Sequence, residues 1–89
     1  MNTTDVGGKT ADSLGDLVTY IASSIVEDPT QVKVDRITGE TTIMFELSVA
    51  PDDVGRVIGK KGRTANAIRT LLRAVSRHRE KRTSLEIIS

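Results

Sequence analysis

Only four residues, Gly59-Lys60-Lys61-Gly62, separate two segments that both carry helical signatures, and this spacing constrains the fold more than any other feature of the chain. Upstream, Pro51-Asp52-Asp53-Val54-Gly55-Arg56-Val57-Ile58 places proline at the first helical position and acids in the first turn, where the helix dipole favours them. Gly59 is positioned to end that helix. Downstream, Arg63 to Val75 carries Ala65, Ile68, Leu72 and Val75 at spacings of three, four and three, the pattern of one buried helical stripe. The four residues therefore form a turn between two helices. Glycine at each end lets backbone amides approach an anion while two ammonium groups point at it. The free amides and positive dipole end of the second helix add to the same spot. The arrangement suits a phosphate.

The remaining pattern supplies one more helix and three strands. Residues 1–12, MNTTDVGGKTAD, have no periodicity and read as a flexible tail, with the folded domain spanning 13–89. Ser13 is a candidate helix cap, followed by Leu14, Leu17, Val18, Ile21 and Ile25 on one face, with Tyr20 at its margin and Pro29 as the stop. Gln31 to Ile37 and Thr41 to Val49 alternate apolar and polar residues around the turn Thr38-Gly39-Glu40 and predict a hairpin. In the second of these strands Ile43, Phe45, Leu47 and Val49 share a face. A last strand over Thr83 to Ile88 turns Leu85 and Ile87 inward. Two helices intervene before it, so a right-handed crossover lays it parallel to the second strand. The predicted class is α+β in the order α-β-β-α-α-β, a three-stranded mixed sheet covered on one face by three helices.

A helix, a GxxG turn and a second helix between two strands resemble the core of a KH domain, and Val57-Ile58-Gly59-Lys60-Lys61-Gly62-Arg63 resembles its signature. The likeness covers about residues 14 to 88. The order of elements is that of the type II KH fold, and the chain looks most like the small stand-alone bacterial KH proteins of the KhpA type. The resemblance implies binding of single-stranded RNA, with the backbone over the turn and about four unpaired bases in a groove beside it. It also implies pairing with a second copy or with another KH-domain protein. Carried onto this sequence, the RNA-binding residues are Arg56, Val57, Ile58, Gly59, Lys60, Lys61, Gly62, Arg63 and Asn66, with Ile68 and Met44 as further candidates for an apolar floor. Ile68 fits plain core better than floor.

Charge supports a polyanion partner once the chain is divided. The net +1 hides an acidic half, residues 1–53, with three bases against ten acids and a net of −7. Residues 54–89 carry ten bases against Glu80 and Glu86, a net of +8. Such asymmetry points to a nucleic acid for the basic half, although opposite charges also serve solubility. Asn66, Arg69, Arg73 and Arg77 follow one another along the helix after the turn. Arg73, Arg77 and the connector Arg77-His78-Arg79-Glu80-Lys81-Arg82 read as a solvated basic face, with contact to a long RNA as the alternative.

Several classes of function are excluded or disfavoured. Gly55 and Gly59 have three residues between them where a nucleotide-binding loop needs four, and Lys61 stands where that loop needs Ser or Thr. The chain has no cysteine and one histidine, so neither a thiol nucleophile nor a metal cluster suggests itself. Tyr20 and Phe45 are its two aromatics, too few for a base-stacking platform. No apolar run approaches the ~18 residues of a membrane span, and the opening residues lack a signal peptide's apolar stretch, so the cytoplasm is the expected compartment. The expectations are no enzyme, no cofactor, no small-molecule substrate and no membrane partner. A protein-interaction adaptor that keeps the KH fold as a docking surface is the alternative, supported by the acidic amino-terminal half.

Overall fold

The computed structural model describes residues 6–76 and 81–88, with side chains from Leu14 onward. Its elements are α1 (Val6–Ile25), β1 (Lys33–Thr38), β2 (Thr42–Ser48), α2 (Val54–Ile58), α3 (Arg63–Ser76) and β3 (Arg82–Ile88), the order and class that the sequence patterns predict. The sheet order is β1-β2-β3. β1 runs antiparallel to β2 with Val34 opposite Leu47, and β3 runs parallel to β2 with Phe45 opposite Leu85. Helices cover one face.

Alternation decides which side of the sheet is buried. Ile43, Phe45 and Leu47 of β2 and Leu85 of β3 point under the helices and join Leu14, Val18, Ala22, Val57, Ile68 and Leu72 in a single core. Each fully buried side chain of this size contributes about 1.5–3 kcal/mol of hydrophobic stabilisation. The opposite face of the sheet carries Lys33, Asp35 and Ile37 beside Met44 and Glu46.

Four sequence expectations are corrected. The backbone of α1 is helical from Val6, seven residues ahead of Ser13, because a helix nucleated by its packed portion extends into neighbouring residues without a second nucleation cost. Residues 1–5 of the expected tail lie outside the described residues, as do Arg77, His78, Arg79 and Glu80. Tyr20 is 73% exposed and packs on nothing in the core, and Ala22 replaces Ile25 in the buried stripe. On α3, Val75 is exposed and Ser76 is buried instead. The Ser76 hydroxyl donates to the Leu72 carbonyl at 2.6 Å and lies 3.0 Å from Thr83 Oγ1, so its polar atom enters the interior with partners.

The end of α1 has a long-range cause. A continuing helix would send the amides of Glu27 and Asp28 to carbonyls one turn back. Both amides instead donate to the Asp53 carboxylate, at 3.0 and 3.1 Å, so α1 stops at Ile25, before the proline is reached. Asp28 then caps a short 3-10 turn over Pro29–Gln31. Hydrogen bonds from Thr30 and then Gln31 hold the Asp28 carboxyl below its ordinary value.

Candidate nucleic-acid interface

The site is built on a rigid foundation. Asp53 is 2% exposed and closes a 3-10 turn over Pro51–Asp53 that leads directly into α2. Its carboxylate accepts the two α1-end amides and also Arg56 Nε at 3.2 Å, while Arg56 Nη2 reaches Glu27 Oε2 at 3.1 Å. The sequence reading gave Asp52 and Asp53 one shared dipole role, yet only Asp53 turns inward to tie α2 to the end of α1. Arg56, a predicted RNA contact, is engaged in the same cluster.

α2 ends where its last amide bond, Gly59 N to Gly55 O at 2.8 Å, is closed by a residue with φ 80° and ψ 168°. That region belongs to glycine. A Cβ on Gly59 would lie 2.3 Å from Thr64 Oγ1 and 2.8 Å from both Thr64 Cβ and Thr64 N, so the close approach of turn and helix also requires its absence. Lys61 (φ 57°) and Gly62 (φ 76°) continue the reversal in the left-handed region. The tip of the turn is thus Lys60 and Lys61, both exposed. Neither lysine has an ion-pair partner among the described residues.

The start of α3 is less open to an anion than the sequence suggests. Gly62 N donates to Gly59 O at 3.0 Å and Arg63 N donates to Lys60 O, so these two amides close the turn. Positive charge at the tip comes from the side chains of Lys60 and Lys61, with exposed Arg63 beside them.

Beside the turn lies a groove of about 280 Å³, lined by Ile58, Gly62, Ala65, Arg69, Leu85, Glu86 and Ile87. One wall is α2, the turn and α3; the other is the free edge of β3. Ile58, 39% exposed, lines the groove. Val57 is completely buried and Ile68 nearly so, and both serve the core that holds Ile58 and the turn in place. Met44 lies on the far face of the sheet, since Ile43 and Phe45 on either side of it point inward. Asn66 is exposed one turn into α3, with its Oδ1 accepting from Arg69 Nη1 at 3.1 Å.

Ala65, Arg69, Glu86, Leu85 and Ile87 are the groove residues outside the site that the sequence predicts. The signal for the last two was present: a parallel crossover puts β3 at the sheet edge, and their inward alternation puts them beneath α3. In the sequence Arg69 stands only as one of the row Asn66, Arg69, Arg73 and Arg77 along the helix.

A family model for the KhpA/KhpB KH domain matches residues 15–87. The chain belongs to that KH-domain family. Among curated relatives, the RNA-binding protein KhpA of Caldanaerobacter subterraneus subsp. tengcongensis is 49% identical over 84% of this chain and 100% of its own length. The proteins of the same name from Clostridium acetobutylicum (50% identical, covering 81% of this chain and 96% of the relative) and Aquifex aeolicus (45%, covering 85% and 96%) are similarly close. This KH family is not an enzyme family, in agreement with the failed nucleotide-loop spacing. Among the described residues, no helix is long and apolar enough to cross a membrane.

Proposed function

We propose that this KH domain binds single-stranded RNA by clamping its backbone at Gly59-Lys60-Lys61-Gly62 and laying unpaired bases into the groove against Ile58, Ala65, Leu85 and Ile87. The observation that carries this reading is the pair of exposed lysines, without an ion-pair partner among the described residues, on the turn beside a groove with an apolar wall and a free strand edge. Phosphates meet the ammonium groups without displacing any ion pair among the described residues, and unstacked bases find an apolar wall. The relatives' name, RNA-binding protein KhpA, supports it. With only a few phosphates neutralised, affinity is weak, on the order of micromolar, and falls steeply with salt.

Weak contact per domain favours a second domain in the functional unit, which raises effective concentration. A surface for it is available. Ala67, Leu71 and Val75 are exposed on the side of α3 opposite Arg69 and Arg73, an apolar stripe fitted to another copy or another KH-domain protein. An RNA chaperone or post-transcriptional regulator working in the cytoplasm is the role this combination suits.

Replacing Lys60 and Lys61 together with Asp tests the clamp. The turn is exposed, so the domain keeps its fold and circular dichroism spectrum, while phosphate repulsion abolishes binding to a single-stranded oligomer. A folded double variant that binds as the parent does refutes the clamp. If neither protein binds RNA and both still capture the same protein partner, the adaptor function replaces it.

A further inference from the structure

The groove contains one polar group in an unusual position. Among the described residues β3 is paired on one side only, with β2, and the Arg82 amide points to that side, donating to Thr41 O at 2.9 Å. Alternation along the strand then directs the backbone groups of Leu85 and Ile87 outward, towards the groove. A bare strand edge offers amide donors and carbonyl acceptors in turn. Here the Leu85 carbonyl is occupied: Arg69 Nε and Nη2 both donate to it, at 3.4 and 3.3 Å. Arg69 Nη1 donates to Asn66 Oδ1. The guanidinium therefore turns the groove's acceptor site into a donor site.

A guanidinium carries five N–H donors in a planar fork. Three are engaged, which leaves one on Nη1 and one on Nη2. Such a pair matches a base edge with two adjacent acceptors. Guanine presents O6 beside N7, and unpaired cytosine presents O2 beside N3. Adenine places an amino group next to N7 and N1, and uracil separates its two carbonyls by an N–H, so neither offers adjacent acceptors.

We infer that Arg69, held against the free edge of β3 by Leu85 and Asn66, is the base-reading residue of the groove and selects guanine or cytosine over adenine and uracil. This rests on the RNA-clamp reading above. The Leu85 contacts are long for hydrogen bonds, so the fork can shift to meet a base at little cost. Arg69 thereby supplies selectivity where Lys60 and Lys61 supply backbone attraction that is indifferent to sequence.

Fluorescence anisotropy with octauridine oligomers carrying a single central guanosine, cytidine, adenosine or 7-deazaguanosine tests the assignment, using the full chain and its Arg69→Gln and Arg69→Lys variants. The parent binds the guanosine or the cytidine oligomer about tenfold more tightly than the adenosine one. Loss of that advantage with 7-deazaguanosine assigns it to the N7 edge of guanine, whereas a cytidine preference assigns it to the O2/N3 edge. In both variants the ratio to adenosine falls to about one, Lys included, because it keeps the charge but not the fork. An equal loss on all oligomers makes Arg69 a phosphate contact or a folding residue and overturns the inference, as does a parent that binds all four alike. Those outcomes leave the clamp intact. A parent that binds none of them overturns both.

Discussion

Gly59→Ala puts the geometry of the turn under direct test. The substitution adds one methyl group at a residue whose φ of 80° and ψ of 168° fall in a region reserved for glycine, a strain of about 1–3 kcal/mol. It also drives a carbon to 2.8 Å from Thr64 Cβ and Thr64 N. Thr64 Oγ1, at 2.3 Å, can rotate away, but the backbone nitrogen opens α3 and can move only with the helix. Overpacking of this kind adds about 1–3 kcal/mol, for a combined loss of about 2–6 kcal/mol. A chain of 89 residues has a total stability of about 4–13 kcal/mol, so the variant sits at the edge of folding. Urea denaturation followed by circular dichroism reads the loss, with a midpoint lower by about 1 M or more. Two controls grade the effect. At Gly62 (φ 76°) an added Cβ meets only Asn66 Nδ2 at 3.7 Å, so Gly62→Ala incurs the backbone strain alone, about 1–2 kcal/mol. At Gly55, inside α2 with nothing within 4 Å, alanine stabilises by about 0.5–1 kcal/mol. If Gly59→Ala is no more destabilising than Gly62→Ala, the close packing of turn against α3 is refuted.

Asp53→Ala strips the Glu27 and Asp28 amides of their acceptor and leaves Arg56 Nε unpaired, and lowers the unfolding free energy by about 2–4 kcal/mol in the same denaturation assay. Arg56→Ala breaks a half-exposed ion pair and costs up to about 1 kcal/mol of stability, while weakening RNA binding less than Lys60→Ala does in parallel titrations. Leu71→Asp puts a charge in the exposed stripe of α3 proposed above as the pairing surface, and the expected outcome by light scattering is weaker self-association with the melting profile of the domain retained.

The parts of the molecule legible in the sequence are those that local geometry dictates. Ile43, Phe45 and Leu47 alternate because a strand alternates, and Ala65, Ile68 and Leu72 recur because a helix does, so core and element order follow from residues close in sequence. The glycines of the turn were legible for the same reason. What stayed hidden depends on partners far apart in the chain. Asp53 looks like any first-turn acid until the amides 25 and 26 residues earlier arrive at its carboxylate. Arg56 looks like a phosphate ligand until Glu27 is brought beside it. Ser76 takes the buried place expected of Val75 because Leu72 O and Thr83 Oγ1 satisfy its hydroxyl. The second wall of the groove needs the crossover that lays β3 beneath α3, and Arg69 acquires its place only when the Leu85 carbonyl is left facing outward.

The central claim, that the turn and its adjoining groove receive single-stranded RNA, is tested most directly by following backbone amide resonances of the isotope-labelled protein during titration with a short single-stranded RNA. The largest shifts are expected on Ile58 to Arg63, on Arg69 and on Leu85 to Ile87, shrinking as salt is raised. Shifts confined to the far face of the sheet, at Lys33, Asp35, Ile37, Met44 and Glu46, with Lys60 and Lys61 unmoved, would contradict it.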